Sequence, residues 1–73
     1  MNNRLPTFDE LPPVGAIIKI IGKHPWSGET AEVIGHHLVG IVSRRQRAKC
    51  RLIRADAMDG HEFYVENEWR LAR

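Results

Sequence analysis

What most constrains this chain is the period of its apolar residues. Nowhere does a helical repeat survive beyond about one turn. Short alternating or continuous apolar stretches recur instead, separated by Gly, Pro, Asp and Asn at intervals of about eight to twelve residues. In Ile17-Ile18-Lys19-Ile20-Ile21 every residue but Lys19 is branched at Cβ, and such side chains keep more of their freedom in a strand than in a helix. The alternation assigns Ala16, Ile18 and Ile20 to a core and turns Lys19 outward, with Ile17 and Ile21 beside it. A loop rich in Pro, Trp, Ser and Gly follows, over 22–29. Thr30 to Ile34 alternates again, with Ala31 and Val33 on one face and Glu32 on the other. Gly35 ends or bulges that strand. His36 to Val42 reads either as the bent continuation of the same strand or as a third strand after a turn.

The second half repeats the pattern. Ser43 to Arg47 reads as a charged hairpin loop and Ala48 to Arg54 as a strand, with Ala48, Cys50 and Leu52 facing in and Lys49 and Arg51 facing out. Asp59-Gly60 is a hairpin signal between strand-like runs. Glu62 to Val65 reads as the returning strand, with Phe63 and Val65 inward. Glu66-Asn67-Glu68 suits one tight helical turn. Trp69-Arg70-Leu71 closes the chain as a short strand, with Leu71 as an inward plug. Ahead of all this, residues 1–13 read as an irregular N-terminal arm. Thr7 and Glu10 have the spacing of a capping box, and Pro12-Pro13 stops any helix after a turn. Leu5, Phe8 and Leu11 could lie over one open end of the domain. The expectation is an all-β fold, a small five-stranded antiparallel barrel over 14–73.

At 73 residues there is room for one domain, and a chain of this size buries only about 60% of its unfolded surface. The marginal core, with an apolar outer face at Ile17 and Ile21, leaves a homodimer open. The single Cys50 cannot form an internal disulfide, which favours a reducing, cytoplasmic setting. The N-terminal residues lack the apolar segment of a secretory signal, and no run approaches the ~20 apolar residues needed to span a bilayer.

The order of elements is similar to the SH3-like barrel family, and residues 15–34 resemble its KOW-type motif. Ile18 and Ile20 match the motif's apolar strand, Gly28 its loop glycine and Val33 the apolar position after it. Ala31 stands where the motif prefers Gly, and the loop is about one residue longer. The resemblance implies binding to RNA, DNA or ribosomal and transcription proteins. A second, weaker likeness is to the plasmid-borne type II dihydrofolate reductases, small SH3-like barrels that act as tetramers around a pore. Trp26-Ser27-Gly28 resembles their Trp-any-Gly pattern, and Phe63-Tyr64 their Ile-Tyr pair. Glu62 stands where that family has its pore glutamine, and an acid there would repel an anionic cofactor and substrate.

The basic stretch is the main functional signal. Arg44, Arg45, Arg47, Lys49, Arg51 and Arg54 are six of the eleven Lys and Arg residues in a chain of net charge +2. If 45–51 is extended, Arg45, Arg47, Lys49 and Arg51 form a row of cations about 6 to 7 Å apart that could follow a phosphate backbone. The row could equally protect an edge strand or pair with Glu62 or Glu66 across strands. Lys23 and Trp26 sit at the loop end, where an indole could stack on a base or fold back over the barrel. Tyr64 points outward beside the basic strand. With Ile17 and Ile21 it forms the alternative surface, a protein interface.

Nucleophilic catalysis and a metal site find no support. His24, His36, His37 and His61 lack the spacing of a metal site, and adjacent His36 and His37 point opposite ways on a strand. Ser27 and Ser43 carry no nucleophile motif, Cys50 is a core position, and no phosphate loop or dinucleotide fingerprint occurs. The sequence therefore implies a binding module with no cofactor and no metal. Its partner is nucleic acid or, alternatively, a protein, and the remote alternative is an enzyme similar to the type II dihydrofolate reductases. Its small size and basic strand would suit an accessory protein of a phage, plasmid or other mobile element.

Overall fold

The computed structural model describes residues 11–42 and 44–72. Five strands, β1 (Ile17–Ile20), β2 (Thr30–Val39), β3 (Arg45–Ile53), β4 (Glu62–Val65) and β5 (Trp69–Leu71), form one antiparallel sheet in the order β4-β3-β2-β1-β5. The described residues contain no helix, so the all-β class read from the period of two is the class observed. β4 and β5 are the two edges and share no ladder; the hydrogen bonding does not close into a ring. Yet only residues 66–68 connect them. From Val65 to Trp69 the chain reaches at most about 14 Å, whereas four strand spacings across a flat sheet come to about 19 Å. The sheet therefore has to curl, and one face becomes an inside.

That inside is the core. Ile18, Ile20, Ala31, Val33, Ala48, Cys50, Leu52 and Val65 are buried, as the alternation requires, and Ala16, Trp26, Phe63 and Trp69 pack around them. Leu11 is buried in the same cluster, and Pro12 beside it offers its carbonyl oxygen to His36 Nε2 at 2.7 Å. The end of the N-terminal arm is thus tied to β2. Leu5, Phe8 and the capping box of Thr7 and Glu10 lie outside the described residues. With so small a core, one large deletion at its centre matters: Ile18→Ala costs about 2 to 5 kcal/mol, a large share of the roughly 4 to 11 kcal/mol expected for a domain this size.

β2 continues past Gly35 and does not give way to a third strand. The register slips between Val33 and Gly35, leaving Ile34 as the extra residue of a bulge. Because side chains alternate with period two, one extra residue exchanges the faces. Before the bulge Ala31 and Val33 face in; after it His36 and Leu38 share the inner face with Ala48 and Gln46, and His37 joins Arg47 outside. Gly35 lies under the His37 ring, where a Cβ would come within 2.8 Å of Nε2.

Three expectations need correction. β3 begins at Arg45 rather than Ala48, so 45–47 belong to the strand and not to a hairpin loop over 43–47; the pairs Leu38–Gln46 and Val39–Arg45 extend the ladder that far. Residues 66–68 are not a helical turn. The Glu68 carbonyl is committed to the Ile21 N–H at 3.1 Å, and its carboxylate accepts from the Glu66 N–H at 3.0 Å. Leu71 is no plug: it lies opposite Ile18, but β5 is an edge with nothing beyond it, and Leu71 is 52% exposed. Tyr64 projects from the outer face of β4, as expected. It pairs with Lys49, and its ring meets His37 edge-on at 6.2 Å.

Candidate nucleic-acid interface

The sheet's outer face carries the basic row. Arg45, Arg47, Lys49 and Arg51 alternate along β3 with Gln46, Ala48, Cys50 and Leu52, so all four project to one side. Placement alone would give an unbroken positive stripe. The flanking strands prevent it. Lys49 Nζ meets Glu62 on β4 at 3.1 Å, and Arg51 Nη2 meets Glu32 on β2 at 3.0 Å. The bond to Glu62 holds the Lys49 ammonium above the usual lysine range. Beyond the strand, Arg54 reaches Glu29 at 3.3 Å and grips Asp56, which raises the guanidinium and lowers the carboxyl from their ordinary values.

The row's two halves differ in charge. In the half away from the hairpin, Lys49, Arg51 and Arg54 face Glu29, Glu32, Asp56 and Glu62, so acids outnumber bases by one. At the hairpin end Arg45 and Arg47 must share one acid. Glu66 Oε1 lies 3.2 Å from Arg45 Nε and 2.9 Å from Arg47 Nε. Lys23 and His24 face Arg47, Tyr64 and Glu66 across an open cleft of about 220 Å³ that Glu68 also lines. Arg44, just beyond, makes no ion pair among the described residues. Lys23, Arg44, Arg45 and Arg47 thus stand against Glu66 and Glu68, a surplus of two positive charges. Exposed ion pairs contribute little to stability, about 0 to 1 kcal/mol, and salt and competing anions can open them.

The hairpin tip belongs to this half. Gly40 and Arg44 bracket it at φ 103° and 51°. Arg44 is the one residue other than glycine in the left-handed region among the described residues, a conformation with a steric cost for any residue bearing a Cβ. Between them Ile41 and Val42 are 97% and 93% exposed. Sequence reasoning misses them, because an apolar run from His36 to Val42 looks like strand interior. The clue was the position next to Gly40.

Of the two placements open to Trp26, the structure has the folded-back one. Its ring packs on His61 at 5.3 Å and Phe63 at 6.4 Å, half-buried against the core. His24 holds it there. His24 Nε2 donates to the Tyr64 carbonyl at 2.9 Å, and Nδ1 accepts the Trp26 N–H at 3.1 Å. A carbonyl can only accept, so the proton sits on Nε2, and the neutral ring satisfies both bonds. This latch fixes the loop that carries Lys23. Ile17 faces out beside Glu32, and Ile21 lies just past β1 with its N–H bonded to the Glu68 carbonyl at 3.1 Å.

Cys50 is buried in the core, and burial pushes its thiol up to about 12. Among the described residues no three His, Cys, Asp or Glu side chains gather as a metal site, and no helix is long and apolar enough to cross a membrane. Comparison of the chain with protein-family models, curated proteins and solved structures gives no match.

Proposed function

We propose that this protein is a non-catalytic binding module that holds nucleic acid against the hairpin half of its outer face. The observation that carries the reading is the local surplus of cations: Lys23, Arg44, Arg45 and Arg47 set against Glu66 and Glu68. A phosphate backbone is the polyanion that such a group, spread over a strand and two loops, can neutralise by releasing counterions. The strand order, with β1 between β2 and β5, is compatible with the SH3-like, KOW-type likeness and with its nucleic-acid partners, and the curled sheet suits a barrel. Lys49 and Arg51, which the sequence places in the same row, contribute less in this reading because each already has its own carboxylate.

Charge reversal at the two ends of β3 tests it. Arg45→Glu with Arg47→Glu should abolish binding of a labelled duplex or single strand at low salt, and Arg51→Glu should change it by no more than about threefold. Equal losses from both ends would overturn the placement, and no binding by the unaltered protein would overturn the reading.

A protein partner is the second reading, favoured by the exposed Ile41 and Val42. An apolar dock on that tip would survive reversal of Arg45 and Arg47.

A further inference from the structure

We infer that the tip of the β2–β3 hairpin is a wedge: Ile41 and Val42 enter a base step of duplex DNA and bend it, while Arg44 and Arg45 hold the adjoining phosphates. The inference rests on the nucleic-acid reading and adds the class of substrate and the mode of contact. Three observations meet at the tip. Ile41 and Val42 are almost wholly exposed and adjacent, where hairpin loops ordinarily place Gly, Asn, Asp or Ser. Isolated exposed aliphatics are common on any surface, but two neighbours at the end of a projecting ribbon form a point. Arg44 holds a left-handed backbone at φ 51°, and strain of this kind concentrates where a binding surface is preformed. The charges nearest the tip are cationic: Arg44 has no acid partner among the described residues and Arg45 only a shared one. An apolar point ringed by positive charge fits an anionic target with an apolar interior.

Duplex DNA meets that description, and the chemistry of the tip favours it over a single strand. Single strands are held by aromatic platforms on which bases stack. The tip carries none, and Trp26 is folded onto Phe63 and His61. Aliphatic side chains inserted from the minor groove instead unstack a step and kink the helix, most readily at flexible pyrimidine–purine steps.

A duplex of about 25 base pairs with a central TA step, labelled at both ends for energy transfer, tests this. The unaltered protein should shorten the end-to-end distance, corresponding to a bend of about 20° to 90°. Ile41→Ser with Val42→Ser should keep affinity within about tenfold and leave the duplex straight. Both positions lie in solvent, so the variant's melting temperature should be unchanged, which excludes misfolding as the cause. Binding without bending by the unaltered protein would overturn the wedge and leave the nucleic-acid reading standing. Absence of any duplex binding would overturn both. In a parallel arm with vesicles of phosphatidylserine and phosphatidylcholine, sedimentation that depends on Ile41 and Val42, with the duplex unbent, would assign the tip to a lipid surface and overturn the inference.

Discussion

Lys19 and Arg70 stand directly opposite each other across the β1–β5 ladder, both on the outer face of the sheet, and neither meets a carboxylate among the described residues. Like charges in that position repel. Replacing one by an acid converts the repulsion into a cross-strand pair. Arg70→Glu should therefore stabilise the fold by roughly 0.5 to 1 kcal/mol, a rise in Tm on the order of 2 to 8 °C for a domain this small. Thermal unfolding at low salt checks it, and the gain should shrink as salt is added. A fall in Tm would show that the Arg70 stem contributes packing that outweighs its charge.

Glu66 is shared by Arg45 and Arg47, so it restrains both. Glu66→Gln removes that negative charge and leaves two guanidiniums unmatched. Nucleic-acid affinity at fixed salt should rise several-fold, and the dependence of log K on log salt should steepen by about one unit. Equilibrium titrations over a salt series would show this. Unchanged affinity would place the contact elsewhere.

The His24 latch makes a local prediction. His24→Ala deletes the acceptor for the Trp26 N–H and the donor to the Tyr64 carbonyl. It should cost about 1 to 3 kcal/mol, at about 0.5 to 1.5 kcal/mol for each bond. Amide exchange supplies the specific readout. The Trp26 amide should lose protection, and the Gly28 amide, bonded to the Ile20 carbonyl at 2.8 Å, should exchange no faster than global destabilisation requires. Loss at both positions in equal measure would mean that the loop is held by packing alone.

Cys50 gives the protein an alkaline limit. Its thiol is pushed up to about 12 in the fold, against an ordinary value of 9.0. Because the folded value is the raised one, the stabilising contribution is complete below pH 9 and is lost as pH rises from 9 towards 12. Within that window the unfolded chain ionises and the folded one does not, so stability falls by at most about 1.4 kcal/mol per pH unit. Cys50→Ala should flatten that decline while lowering stability at neutral pH through the lost volume. Native Cys50 should also resist alkylation at pH 8 and react on unfolding. Fast alkylation of the folded protein would contradict the burial.

The sequence's legibility divides along physical lines. The core was readable because alternation in Ile18-Lys19-Ile20, Ala31-Glu32-Val33 and Ala48 to Leu52 leaves only one way to bury the apolar side chains. The outward row at Arg45, Arg47, Lys49 and Arg51 follows from the same rule. Its charge balance depends on which acids the neighbouring strands bring alongside, and that is set by register: the bulge at Ile34 and the pairing of β4 decide it. Glu66 and Glu62 could be suspected from sequence, but the sharing of Glu66 by two arginines, and hence the difference between the two halves of the row, could not. Trp26 was undecided for a similar reason, since its place depends on His24 reaching a carbonyl 40 residues away. Leu71 and the 66–68 link escape the period-of-two argument because their surroundings decide them: nothing pairs beyond β5, and Glu68 is bonded to the Ile21 and Glu66 N–H groups.

The most direct test of the account is the salt dependence of nucleic-acid binding, followed by anisotropy of a labelled duplex. If Lys23, Arg44, Arg45 and Arg47 contact phosphates, log K should fall linearly with log salt with a slope between about −2 and −4, and removing Arg45 and Arg47 together should reduce its magnitude by about two. A slope near zero, or no binding at about 20 mM salt, would contradict the assignment of this face to a polyanion.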